Sequence, residues 1–158
     1  MFKSVELRHH DTGLVSQWKK LIAWIQRRVE HMVALNDSGV DFARGNVVCM
    51  NADRELKLAD DALGSELYVG VMAGPCADGT TGIVRTDNLA YVLFEPGQVA
   101  MAAGTACYIS QTAGLATNSA VGPALIMQLG LIVDASPYAA EQAAWVMLNR
   151  CCQPTEQG

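Results

Sequence analysis

Residues 104–135, GTACYISQTAGLATNSAVGPALIMQLGLIVDA, read as a second writing of residues 45–73, GNVVCMNADRELKLADDALGSELYVGVMA. Each stretch opens on glycine and an apolar run, Val47-Val48-Cys49-Met50 in the earlier copy and Ala106-Cys107-Tyr108-Ile109 in the later. Short apolar runs bounded by turn residues have the character of buried strands. A polar turn follows, then a short segment, Leu56 to Asp60 against Gly114 to Asn118. A longer apolar strand with a glycine near its middle comes next, Tyr68 to Met72 against Gln128 to Val133. Gly70 trails Gly45 by nearly the span that separates Gly130 from Gly104, so the match covers a whole unit. The reading is a duplicated β-unit in which Gly45, Gly70, Gly104 and Gly130 hold equivalent places. Gly70 and Gly130 are expected at matching bulges or close backbone approaches.

Strand and turn signals fill the rest of the chain after Gly39. Ile83 to Thr86 and Leu89 to Phe94 are predicted to pair as a hairpin around Asp87-Asn88, ended by Glu95-Pro96-Gly97. Ala139 to Ala144 can make one helical turn, Ala143 to Asn149 closes the sheet, and residues 153–158 form a tail.

Before Gly39 the period changes. Val15, Trp18, Ile22, Ile25, Val29 and Met32 alternate spacings of three and four, the seam of an amphipathic helix over Leu14 to Leu35. Leu14, Leu21 and Val33 widen its apolar face, and Asn36-Asp37-Ser38-Gly39 supplies a stop. Lys19, Lys20, Arg27 and Arg28 lie off the seam. The expected organisation is therefore an arm and helix over 1–38, a β-domain over 39–152 and a tail over 153–158. A short coiled coil and a single helix lying on a protein surface both fit the seam.

Composition narrows the function classes. Half of the 158 residues are apolar, enough for one well-buried core, and the apolar segments are too short to span a bilayer as a helix. A soluble protein made in the cytosol is expected. The net charge of −5 argues against nucleic acid as a direct partner, although the segment up to Ala34 is net basic. Its cations are suited to an acidic neighbour. Five cysteines, Cys49, Cys76, Cys107, Cys151 and Cys152, show no metal-ligand spacing, and Cys49 and Cys107 sit in apolar strands where Cys behaves as a small hydrophobe.

Chemistry-bearing patterns are sparse. Asp60-Asp61 are adjacent loop acids that point apart, His9-His10 have no thiol partner nearby and read as solvated histidines, and no GxSxG nucleophile motif occurs. The glycines at 70, 74 and 79 precede β-type sequence, not the helix that a phosphate loop requires. No catalytic residue, metal ligand or cofactor site is therefore assigned, and no membrane partner.

The order GNVVCMNADRELKLAD, LYVGVMAG, GIVRT, PGQVAMAAGTACYIS, GLAT, LGLIVD and AWVML resembles the small β-domains of tailed-phage capsid decoration (cement) proteins and head fibres over Gly45 to Leu148. The basic helix ahead of the domain and the apolar LGLIV strand depart from that pattern. The resemblance implies a β-sandwich or β-tulip-like domain, a homotrimer, and the major capsid protein as partner. It also implies a place on the outer surface of the virion after assembly in the host cytoplasm, with no catalytic residues to carry over. The helix, with Val15, Trp18, Ile22, Ile25, Val29, Met32, Lys19, Lys20, Arg27 and Arg28, is then the expected assembly or capsid-binding element. Two other classes remain open. A carbohydrate- or small-molecule-binding β-domain of a tail or fibre would need an exposed aromatic platform built from Trp24, Tyr138 or Trp145. A small enzyme would need a polar site formed at a subunit interface.

Overall fold

The computed structural model describes residues 31–51, 53, 55–60, 68–98, 101–119 and 128–149. The helix-seam residues Val15, Trp18, Ile22, Ile25 and Val29, the cations Lys19, Lys20, Arg27 and Arg28, and the tail lie outside them. Within them the chain is mainly β, as expected. Its strands are β1 (His31–Leu35), β2 (Val47–Met50), β3 (Leu56–Leu58), β4 (Tyr68–Met72), β5 (Thr81–Arg85), β6 (Asn88–Leu93), β7 (Ala106–Ile109), β8 (Ala116–Thr117), β9 (Gln128–Asp134) and β10 (Ala143–Leu148). One short helix, α1 (Tyr138–Glu141), precedes β10.

The strands form two antiparallel five-stranded sheets, ordered β1-β5-β4-β2-β3 and β6-β10-β9-β7-β8. Adding five to each strand number of the first order gives the second. In each sheet one parallel bridge also ties the first strand's end to the short third strand, Leu35 to Glu55 and Phe94 to Ala116. Those bridges occupy backbone groups that open edges would leave unpaired.

Residues 31–35 correct the sequence reading. The helix was expected to run through Leu35 with Met32 on its seam, but His31–Leu35 is a strand paired along its length with β5. Ala34 is buried and Met32 packs against the first core, while Val33 and Leu35 point out. A run of five apolar-rich residues satisfies both periods, and the non-local partner β5 decides between them. The β-body therefore starts at His31 and not after Ser38. Asn36 is accordingly no helix cap. Its side chain, fully buried, donates to the carbonyls of Val40 (2.8 Å) and Cys76 (3.2 Å) and accepts from Ser38 Oγ (2.7 Å).

The predicted hairpin around Asp87-Asn88 is also corrected. Both strands exist, but β5 is flanked by β1 and β4, so β6 crosses to the other sheet and pairs with β10. Asn88, with φ of 60°, turns the chain between them. The helical turn expected near Ala139 is present as α1, and Gln142, at φ of 52°, stops it before β10.

Two apolar clusters follow from the alternation of side chains along the strands. One lies within the first sheet and contains Phe42, Val48, Met50, Leu56, Met72 and Val84. The other combines the inner side of the second sheet, including Val92, Cys107, Ile109, Ile132 and Val146, with Val47, Cys49 and Val71 from the outer side of the first. Strand β2 thus sends alternate residues to two cores. That is why Val47-Val48-Cys49-Met50 carries no polar position. Full burial of each large side chain such as Phe42, Leu56 or Ile132 contributes roughly 1.5–3 kcal/mol.

Candidate functional site

Equivalent residues in the two sheets can be read from the ladders. Across the first sheet Val47 pairs Val71, Val71 pairs Arg85 and Arg85 pairs His31. Across the second, Ala106 pairs Leu131, Leu131 pairs Met147 and Met147 pairs Leu89. The two rows correspond member by member. Two residues further along, Val33 opposite Ile83 corresponds to Tyr91 opposite Trp145.

The repeat glycines fall into two pairs. Gly45 and Gly104 both have left-handed backbones, with φ of 89° and 86°. Each ends a turn and donates its N–H to the central strand of its sheet, Gly45 to Met72 (2.9 Å) and Gly104 to Ile132 (2.7 Å). Only glycine enters this conformation without steric cost. Gly70 and Gly130 sit on β4 and β9 against the neighbouring strand. A Cβ at Gly70 would meet the carbonyl oxygen of Arg85 at 2.7 Å, and one at Gly130 would meet the carbonyl carbon of Met147 at 2.8 Å. Close approach is therefore common to both. A bulge is not, because the register slips beside β9 while the β2–β4 ladder runs evenly through Gly70.

The equivalent faces are covered differently. Gly45 lies against Leu93 and the Tyr91 carbonyl, whose strand belongs to the second sheet, and Leu93 N–H donates to the Gly45 carbonyl (2.9 Å). The Arg44 guanidinium stands over the Tyr91 ring at 4.6 Å and the Trp145 ring at 5.6 Å. Tyr91 and Trp145 meet edge to face, and the Tyr91 hydroxyl donates to the Glu141 carboxylate. By contrast a Cβ at Gly104 would meet nothing within 4 Å. Among the large apolar residues left exposed are Val33, Leu35 and Ile83 on the outer side of β1 and β5, and Leu131, Val133 and Met147 on the outer side of β9 and β10.

A polar cluster pins the loop after β6. The Glu95 carboxylate accepts from the hydroxyls of Ser110 and Thr112, the latter at 2.8 Å. The Ser110 bond, aided by Thr112, holds the carboxyl below its ordinary value against the opposing effect of burial. Tyr138 takes the Gln98 N–H (2.7 Å) and donates to the Glu95 carbonyl (3.1 Å). Gln98 Oε1 in turn accepts from Thr117 and the Asn118 N–H, both at 2.9 Å. These bonds tie β6, β7, β8 and α1 together. Through them the arrangement serves as a clamp on that loop.

Of the sequence-derived assembly residues only Met32 is described, and it packs on the first core. Tyr138 is committed to the clamp, and Trp145 is flanked by Tyr91 and Arg44. Trp24 lies outside the described residues. Among the described residues no grouping of three His, Cys, Asp or Glu side chains could hold a metal ion. The outward apolar faces were missed by sequence reading, since alternation marks two sides of a strand without saying what covers each. No protein-family model matches the chain, and no curated protein matches it.

Proposed function

We propose that the protein is a non-enzymatic structural component of a tailed-phage virion, a capsid decoration (cement) or head-fibre protein bound to the outer surface of the head. In this reading the two sheets are duplicated halves of a β-sandwich or tulip-like body, the chain assembles as a homotrimer, and the major capsid protein is its partner. The observation that carries the proposal is the repeated strand order together with large apolar residues exposed on two strand faces. Such faces suit a protein whose work is done by association. The glycine and strand pattern from Gly45 to Leu148, which resembles the decoration-protein domains, supplies the virion context. The sugar-binding alternative gains nothing from Tyr138 or Trp145, whose rings are engaged within the fold.

The experiment is co-sedimentation of the purified full chain with undecorated heads of its own phage and with the same heads already decorated. Saturable binding to the former and none to the latter is expected. Absence of binding to undecorated heads, by a protein shown to be folded, would refute the proposal.

A further inference from the structure

The two sheets are tied at an equivalent point with different chemistry. In the first, β1 ends at Leu35, which is bridged to Glu55, and the next residue, Asn36, donates its N–H to the carbonyl of Thr80 just ahead of β5 (2.8 Å). In the second, Phe94 directly follows β6, is bridged to Ala116, and donates its N–H to the carbonyl of Gln142 just ahead of β10 (2.8 Å). Asn36 and Phe94 therefore hold the same place in the repeat. The first sheet is secured there by a neutral group, the buried Asn36 amide on the carbonyls of Val40 and Cys76. Phe94 instead commits its side chain to the apolar cluster, and the neighbouring Glu95 carboxylate makes the polar bonds, to Ser110 and Thr112. Ser110 is fully buried and its oxygen already accepts the Thr112 N–H (2.7 Å), so its one proton goes to Glu95. The same Glu95 oxygen takes the Thr112 hydroxyl (2.8 Å). Bonds onto an ionised acceptor are roughly twice as strong as neutral ones, so both weaken when the carboxyl takes up a proton.

We infer that Glu95 is an acid-released latch: on protonation the strap of residues 95–98 loosens from β8, from the turn after β7 and from α1, while the first sheet's join at Asn36 stays formed. The strap hangs on few other bonds. Glu95 N–H donates to the Ala116 carbonyl (3.0 Å), the Tyr138 hydroxyl links the Glu95 carbonyl to the Gln98 N–H, and Gln98 Oε1 accepts from Thr117 and the Asn118 N–H. The turn itself has a second anchor, because Gly114 donates its N–H to the Ala59 carbonyl (2.8 Å) and accepts from the Val47 N–H (2.9 Å), both of the first sheet. Release is therefore confined to the strap side. The groups that meet the carboxylate are the Ser110 and Thr112 hydroxyls and, from the strap, the Gln98 amide at 3.5 Å. On α1, the titratable Tyr138 bonds the Glu95 backbone and Glu141 takes the Tyr91 hydroxyl; from the first sheet, Asp60 follows Ala59 in the chain. Near Asn36, Asp78 accepts the Gly39 N–H and Asp41 the Asp78 N–H, both on exposed loops and outside the amide's own bonds. The Ser110 bond, with Thr112, holds the Glu95 carboxyl below its ordinary 4.5, so the latch is shut at neutral pH and releases as pH falls through the lower folded value.

Amide hydrogen exchange of the full chain, resolved by residue and corrected for the intrinsic effect of pH, tests this. Between neutral pH and a pH well below 4.5, protection of the Glu95, Gln98 and Asn118 amides is expected to fall several-fold, while the Gly114 and Asn36 amides keep theirs. Glu95→Gln, uncharged at every pH, is expected to show the acid level of protection at those three amides already at neutral pH, with no further change on acidification. Thr112→Val removes one of the two hydroxyl bonds at an exposed position, and should move the onset of release to higher pH. Lost packing alone would lower protection at every pH without moving the onset. Four results would overturn the inference. They are a strap whose protection is independent of pH, a loss at Gly114 and Asn36 together with the strap (global acid unfolding), a Glu95→Gln chain that keeps the parent's pH response, and an unchanged onset in Thr112→Val. If Glu95→Gln does not fold, the parent and Thr112→Val profiles decide.

Discussion

Gly70 and Gly130 show how much a single missing methyl group can specify. At both positions an added Cβ would run into the backbone of the adjacent strand, so the strand pair must separate or shift. Gly130→Ala and Gly70→Ala are each expected to cost about 1–3 kcal/mol as overpacking. Gly74→Ala, with open space around it and no left-handed backbone, should stay within roughly 0.5 kcal/mol of the parent. Urea unfolding of the three variants checks the contrast. Equal stabilities would show that the close approaches are not constraints. These glycines were legible in the sequence because their spacing repeats. Asn36 was not, since a turn-forming residue ahead of Asp-Ser-Gly gives no sign that its amide is buried. Asn36→Ala removes donors to two carbonyls in that buried site and is expected to lose about 1–3 kcal/mol. Glu95 gives a pH signature. Its folded carboxyl is held below the ordinary value of 4.5, so the stabilisation it provides is present above that pH and fades as pH falls through the lower folded value. Thermal melts from neutral pH downward should therefore show a shallower acid decline in Glu95→Gln than in the parent.

At the scale of elements, pairing partners decided what local pattern left open. Met32-Val33-Ala34-Leu35 fits the tail of a heptad seam and also a strand with alternate faces, and the long-range ladder to β5 settles it. Likewise the turn at Asp87-Asn88 was legible, but the occupancy of both edges of β5 was not, so the chain crosses between sheets there instead of folding back. The strands of the duplicated unit were readable because their apolar runs are bounded by glycines and polar turns, and their counterparts recur in the same order. Truncation separates the body from what precedes it. Removing residues 1–30 is expected to leave a cooperatively folding β-body, whereas removing 1–36 also strips β1 and the Asn36 anchor and should abolish cooperative unfolding or cost several kcal/mol. A body that unfolds on loss of 1–30 would make that segment part of the core. A body that folds without 1–36 would make β1 dispensable.

Across the described residues one strand order is written twice, and the outer side of β2 and β4 is buried in one cluster with the inner side of the second sheet. What the sequence could not convey is this unequal use of equivalent faces, because Val71 and Leu131 are both apolar and only the fold distinguishes the buried from the exposed one. The homotrimer proposed above would give the exposed apolar faces a partner. The mass of the full chain in solution, followed across a concentration series by sedimentation equilibrium, tests this most directly. A species of three chains that persists on dilution is the expected result; a single chain at every concentration would contradict it.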